Sequence, residues 1–431
     1  MQYNNYYKLA KIDKHMKYAH LADLHLGSWR DLKMRDLSTA VFVKAIDECI
    51  EARLDFILFS GDLFNTSLPS LDTLKLVTKK LKELNDHNIP LYAIAGSHDF
   101  SPSGKTMLDV LENAGLLKNV CKGTVNPETK QLNLNFTIDP KTGTKITGML
   151  GKKGLLDKIY YQNLFLENLE QEQGYKIFLF HTTLSELKPK HLEMMESQPL
   201  SFLPKNFNYY AGGHVHHPTQ IDKEGYGTLT YPGALFPNNF AELEKYNGGG
   251  YYLVSVDLIS EKNNTQNFQQ NVVWKPLNVI KHENFTLNCA HKGPEVVSFE
   301  IANHFNNKDL TNTIVTIRLK GELNKGKVSD INFKEIFNQL YKQGAYFVMK
   351  NTSKLNSEEF EEIKLSKGNP DNVEEEIIKE HLQQIKLFDL QTELQLTKSL
   401  IHSLNTSKQE GETISDFNKR IEEEINRLLN I

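Results

Sequence analysis

The sequence predicts an α/β protein: a two-sheet β-sandwich flanked by helices, then a small α/β cap domain and a C-terminal helical hairpin. Three observations predict it. Apolar stretches of strand length alternate with helical stripes as far as about residue 218, the pattern of a sheet with helices on its faces. From Gly225 the chain reads mostly as strand, as the far side of a sandwich would. Beyond Pro294 a short strand–helix–strand unit leads into a Leu/Ile-rich helical tail.

The elements follow in order. KYAHLADLH (17–25) is a strand that ends in polar residues, and Val41, Ala45, Ile46, Cys49 and Ile50 then recur at helical spacing. LDFILFSGD (54–62) is a buried strand, and Leu74, Val77, Leu81 and Leu84 stripe a helix from Pro69 to Asn88. IPLYAIAGSHD (89–99) is strand and Thr106 to Ala114 helix. YKIFLFHT (175–182) and FNYYAGGHVHHP (207–218) are two further strand-then-loop units. IVTIRL (314–319), INFKEIFNQLYKQ (331–343) and AYFVMKN (345–351) make up the smaller unit, and the Gly/Pro/Asp cluster at 367–372 reads as a linker. Residues 1–15 are polar and fit no strand pattern; the expectation is a disordered leader or a misassigned start.

The 431 residues leave room for two or three domains, and 39% hydrophobic with 24% charged residues is a globular balance. Three widely spaced cysteines exclude a disulfide framework and a cysteine zinc site, and suit a reducing compartment. No apolar run approaches the ~18 residues that a membrane span needs. The net charge is −4, but residues 371–431 carry −6, leaving +2 on the rest. Any contact with an acidic polymer therefore depends on local patches or on metals.

The chemistry gathers at strand ends. Asp23-x-His25, Gly61-Asp62, Gly96-Ser97-His98-Asp99, His181 and Gly213-His214-Val215-His216 each follow an apolar strand directly. Loops at the C-terminal ends of strands in an open α/β sheet converge on one crevice, so five distant segments can serve one point. Imidazole with carboxylate suits Mn, Fe or Zn better than Mg or Ca. The donors are too many for one ion and about enough for two, a set suited to phosphoester hydrolysis, with Asp62 the best bridging carboxylate. His98 is the candidate to protonate the leaving oxygen, and Asp99 the candidate to orient its ring. His15, His87, His191, His282 and His402 read as ordinary surface or core histidines, while His217 is equally a supporting residue or a surface one. GKT at 104–106 lacks the Gly that a phosphate-cradling loop needs at position 99, and GELNKGKV (321–328) ends in Val328 where Ser or Thr is required, so neither is a nucleotide loop.

D-x-H, G-D, G-S-H-D where the family pattern has G-N-H-D, a lone His and G-H-x-H together resemble the motif set of calcineurin-like metallophosphoesterases. The flanking words ADLHLG, FSGDLFNTSLPS, AGSHDFSPSGKTMLDVLENAGL, YYAGGHVHHP and YPGALF resemble the nuclease subunit of the double-strand-break repair complex, the SbcD and meiotic-recombination-eleven type. That resemblance implies a nuclease domain over 16–280, a DNA-recognising cap over 294–366 and a docking region over 371–431. It implies two Mn²⁺ per chain, one held by Asp23, His25, Asp62 and His216 and the other by Asp62, Ser97, His181 and His214, with His98 as the catalytic histidine. It further implies action on DNA duplex ends, hairpins and single strands, a cytoplasmic, nucleoid-associated location and a homodimer built around the helices that carry Leu74 and Val110. Its partner would be an SMC-like ABC ATPase of the SbcC type. The tail fits a helix-in-groove docking element, since Ile378, Leu382, Ile385 and Leu394 to Leu404 form one stripe, and Phe417, Ile421, Ile425, Leu428 and Leu429 repeat it.

Arg30, Lys33, Arg35, Lys105, Lys152, Lys153, Arg318, Lys320, Lys325 and Lys327 are the candidate phosphate contacts. Two other readings share the same motifs: a phosphatase or small-molecule phosphodiesterase, and a DNA-end tether with a weakened second metal site. The resemblance usually places Asn where this chain has Ser97, and a histidine at Asn65 in some members. A serine hydroxyl is shorter and a weaker donor than an amide carbonyl. One ion is therefore expected to bind more weakly than the other, and Ser97→Asn to tighten it; two equal, tight sites in calorimetry of the natural protein would contradict this.

Overall fold

The computed structural model describes residues 15–101, 104–152, 156–189, 195–262, 265–357, 378, 389–406 and 414–429. The chain divides into two compact units, residues 1–358 and 359–431. The leader at 1–14, Lys153, His191, the linker at 367–372 and the tail residues Leu382 and Ile385 lie outside the described residues.

The strands of the first unit are β1 (His15–Leu21), β2 (Phe56–Ser60), β3 (Leu91–Ile94), β4 (Lys118–Asn119), β5 (Gly123–Val125), β6 (Leu132–Leu134), β7 (Thr137–Ile138), β8 (Lys145–Gly148), β9 (Lys176–His181), β10 (Tyr209–Gly213), β11 (Thr219–Lys223), β12 (Gly227–Tyr231), β13 (Gly250–Lys262), β14 (Thr265–Pro276), β15 (Lys281–Asn288), β16 (Thr313–Leu323) and β17 (Ala345–Ser357). Its helices are α1 (Leu32–Glu51), α2 (Leu71–Asp86), α3 (Met107–Asn113), α4 (Lys158–Gln162), α5 (Glu167–Glu170), α6 (Phe240–Tyr246), α7 (Pro294–Phe305) and α8 (Phe333–Lys342). The second unit contributes α9 (Leu390–Leu404) and α10 (Ile414–Leu429).

Two six-stranded sheets stack, one ordered β14-β13-β1-β2-β3-β4 and the other β11-β12-β10-β9-β8-β7. The period of two along each strand explains the layers. In β2, Phe56 and Leu58 face the opposite sheet, while Ile57 and Phe59 face α1 and α2. In β9, Ile177 and Leu179 point between the sheets and Phe178 and Phe180 point away from them. Both faces are covered, so these strands read as continuous apolar runs. The sequence places β13 and β14 on the far sheet. They instead pair antiparallel beside β1, His15 opposite Asp257 and His20 opposite Tyr252. Alternation shows that a strand has an inner face but not which sheet it joins.

Strands β15, β16 and β17 form a separate parallel sheet with its own core, to which α7 and α8 contribute Val297, Ile301, Ile336 and Leu340. Its first strand starts at Lys281, earlier than the expected boundary at 294. KHENFTLN is mostly polar and carries too weak an alternation to read as strand. The central parallel strands β2, β3, β9 and β10 all bring their C-terminal ends to one edge of the sandwich.

Candidate metal centre

At that edge the strand ends approach so closely, within and between the sheets, that only glycine fits. A Cβ on Gly213 would lie 2.0 Å from the Ser60 carbonyl oxygen, and one on Gly96 would lie 2.3 Å from Asp62 Oδ1. The glycines of the three G-D, G-S-H-D and G-H-x-H segments are therefore steric requirements of the convergence. The loop after β1 runs beside the loop after β2: Asp23 N–H donates to the Gly61 carbonyl at 3.2 Å and His25 N–H to the Asp62 carbonyl at 2.9 Å. Asp23, His25, Asp62 and His214 adopt left-handed φ of 51°, 42°, 54° and 84°. Such conformations cost non-glycine residues of order ~1–3 kcal/mol each and persist where the surroundings enforce them.

Three clusters place potential ligand atoms within 4.8 Å of one another: Asp23 with His25 and His216; His25 with Asp62 and His98; Asp23 with Asp62 and His181. Asp62 lies at their middle, its Oδ2 3.2 Å from His181 Nε2 and 3.5 Å from His25 Nε2. Ser97 Oγ donates to the same oxygen at 3.4 Å. His214 is not in these clusters; its ring lies 5.3 Å from that of His181, and its N–H donates to both oxygens of Asp23 at 2.9 and 3.0 Å. His217 packs its ring 5.7 Å from that of Tyr246 and is also outside them.

The partners of each ring decide its tautomer. His181 Nδ1 lies 2.8 Å from the Ser60 carbonyl and His98 Nδ1 2.8 Å from the Asn65 carbonyl, and a carbonyl only accepts, so each Nδ1 donates. His216 Nδ1 donates to Glu242 at 2.9 Å. In their neutral forms all three rings then carry a bare lone pair on Nε2. His25 and His216 meet Nε2 to Nε2 at 3.1 Å, and the buried Nε2 of His181 faces the Asp62 carboxylate at 3.2 Å. Imidazole nitrogens that converge on each other and on two buried carboxylates are a ligand set that fits divalent metal ions.

The ring of His98 is oriented by the Asn65 carbonyl and not by Asp99, as the sequence had suggested. Asp99 instead accepts backbone N–H from Asp62 at 2.9 Å, Gly96 at 2.9 Å and Phe64 at 3.3 Å, and so ties two of the converging loops together. Because a backbone carbonyl holds His98, the side chain at position 65 does not matter for that contact. Glu242 carries no signal in the sequence. It sits 26 residues beyond His216, and only the packing of α6 brings it to the ring.

Burial pushes the Asp23 carboxyl up to about 6. Burial, then the neighbouring Asp62 charge, takes Asp99 up to about 7. Burial would lower His181, but the Asp62 carboxylate overrides it and carries the ring up to about 10. Burial would raise Asp62, but the His181 and His25 rings and the His98 N–H hold it well below the usual carboxylate range. Burial takes His25 and His214 down to about 3.

Residues 16–218 match the calcineurin-like phosphoesterase family. This segment is a calcineurin-like phosphoesterase domain. Similar curated proteins include the DNA double-strand break repair protein Mre11 of Methanococcus maripaludis, 30% identical over 247 residues that cover 55% of this chain and 62% of that one. The protein of the same name from Methanopyrus kandleri is 28% identical over 259 residues, covering 56% and 54%. That of Archaeoglobus fulgidus is 29% identical over 243 residues, covering 53% and 52%. The chain thus spans about half to three-fifths of the length of these relatives. Phosphoesterase domains of this family use divalent metal ions, in agreement with the donor set at the sandwich edge. Among the described residues no helix is long and apolar enough to cross a membrane.

The residues outside the centre are also accounted for. His15 pairs with Asp257, His87 with the Glu83 carbonyl and His282 with Asn247, while His402 lies exposed on α9. Arg318 is not a free phosphate contact: its guanidinium is paired with Glu244. Arg35 donates to the Trp29 and Arg30 carbonyls, and Lys33 donates to the Tyr346 carbonyl.

A cation at this centre needs Asp23 anionic and His181 neutral. Without the ion, His181 keeps a proton up to about pH 10 and Asp23 takes one up below about pH 6. Binding should therefore release protons near pH 7.5, and affinity should rise between pH 6 and 9 by up to about tenfold per unit for each proton displaced. Calorimetry in two buffers of different ionisation enthalpy measures this, and release of no protons would contradict it.

Proposed function

We propose that this chain is a Mn²⁺-dependent DNA nuclease subunit of a double-strand-break repair complex, a double-strand exonuclease and single-strand endonuclease that hydrolyses phosphodiester bonds with two metal ions. The observation that supports this most strongly is the meeting of imidazole lone pairs from three rings with two buried carboxylates, in a phosphoesterase domain similar to archaeal break-repair proteins. Asp23, His25, Asp62 and His216 would hold one ion, and Asp62, Ser97, His181 and His214 the other. When bound, such ions polarise the phosphate, activate water and offset developing negative charge.

The protein's own groups do the rest. His98 keeps its Nδ1 proton on the Asn65 carbonyl, so its Nε2 is the atom that exchanges a proton with the leaving oxygen. Its N–H donates to Asp62 Oδ1 at 2.7 Å, which locks the ring's loop to the central carboxylate. Glu242 holds the aim of His216, the Ser60 carbonyl that of His181, and Asp99 fixes the spacing of the loops after β2 and β3.

In this reading the sandwich is the nuclease domain and the sheet β15–β17 with α7 and α8 is a cap that meets DNA. Residues 371–431 dock on the SbcC-type ATPase. Leu390, Leu404 and Leu429 are exposed on α9 and α10, which fits helices waiting for a groove. Leu74 packs partly into the core, while Val110, with Leu68 and Leu71, is exposed and available to a second copy of the chain.

A Mn²⁺ titration of cleavage on end-labelled duplex and hairpin DNA tests the activity. His98→Ala should lower the cleavage rate by about 10²–10⁴ while leaving Mn²⁺ affinity within a few-fold. Release of phosphate from nucleotides, with no attack on DNA, would favour the phosphatase reading instead. Deleting residues 371–431 should preserve cleavage and abolish co-purification with the ATPase; retained co-purification would discard the docking role.

A further inference from the structure

Helix α6 touches both the metal centre and the cap. At its start, Asn239 accepts the Glu242 N–H at 3.0 Å and donates back to Glu242 Oε1 at 2.7 Å, while Asn238 N–H donates to Glu242 Oε2 at 2.8 Å. The capping contacts thus fix Glu242 in the position from which it accepts His216 Nδ1. Two residues on, Glu244 receives Arg318 of β16 as a fork: Nε lies 2.9 Å from both carboxylate oxygens and Nη2 2.6 Å from Oε2. The guanidinium also covers the Phe240 ring at 5.0 Å. From β15, Asn284 donates to the Glu244 carbonyl and to Asn247 Oδ1, both at 3.0 Å. Both side chains of the Arg318–Glu244 pair are only 19% exposed, so solvent screens it little.

A helix of seven residues has no stability of its own and lies where its neighbours hold it. Its neighbours here are the sandwich core, which takes Leu243, a candidate metal ligand on one side and two cap strands on the other. We infer that the Arg318–Glu244 pair is a positioning element through which the cap, by way of α6 and Glu242, sets the aim of His216 Nε2 and hence the affinity of the metal centre. The inference rests on the metal reading above. It is reciprocal: an ion held by His216 steadies the seat of the cap, and a ligand that shifts the cap strands loosens the ion.

Calorimetric Mn²⁺ titration of the full chain tests it, with thermal unfolding of each variant alongside. Glu242→Gln should weaken one site by about 10–100-fold. Arg318→Ala should weaken the same site by about 2- to 30-fold although it lies outside the centre. The double variant should be no weaker than Glu242→Gln alone, because both changes act along one route. The exchanged pair R318E/E244R should return the affinity to within about twofold of the natural protein, a recovery that general loss of stability cannot produce. Should Arg318→Ala fail to fold, Arg318→Lys keeps the charge without the fork and serves the same comparison. Unchanged Mn²⁺ affinity in a folded Arg318 variant, or losses that add, would overturn the coupling while leaving the metal reading intact. A natural protein that binds no Mn²⁺ would overturn both.

Discussion

The Asp62 carboxylate is the constraint around which the first unit is organised. It is almost fully buried, and an ionised group there is tolerated only where positive charge or donors surround it. The rings of His25 and His181, the Ser97 hydroxyl and the His98 N–H supply them, from three different loops. For those loops to reach one carboxylate, the C-terminal ends of β1, β2, β3 and β9 must come together. That approach demands glycine at positions 96 and 213 and left-handed backbone at four of the candidate ligands. Fold and site are thus one requirement: the sandwich brings the strand ends together, and the unpaired lone pairs at the junction call for cations.

A layer of supporting contacts converts convergence into direction. Carbonyls of Ser60 and Asn65 and the carboxylate of Glu242 each take the Nδ1 proton of a ring and leave its Nε2 facing inward. Two of these three partners are backbone atoms, so they hold whatever side chain occupies the position. Glu242 differs, since it is a side chain on α6, a helix that packs Leu243 into the sandwich core and meets strands β15 and β16 of the small sheet through Glu244 and Asn247.

Much of the geometry of the centre is legible in the sequence. Apolar runs ending in Asp23-x-His25, Gly61-Asp62, Gly96-Ser97-His98-Asp99, His181 and Gly213-His214-Val215-His216 are strands that bring these side chains to one edge, because strand ends converge on one edge of a parallel sheet. The partner of an imidazole Nδ1 was not legible, and Asp99 was assigned to a ring that Asn65 holds. Arg318 reads as a candidate phosphate contact because a sequence does not reveal that Glu244, seventy-four residues earlier, lies opposite it.

By itself the sequence determined the layers, the strand ends and the chemistry carried on them, since alternation, glycine placement and the order of His and Asp along the chain are local properties. Only the tertiary structure decided that β13 and β14 join the first sheet, that the small sheet begins at Lys281 and that α6 stands between that sheet and the centre. Those outcomes depend on pairing between residues far apart in the chain, and the free energy of such pairing resides in contacts, which no local pattern records.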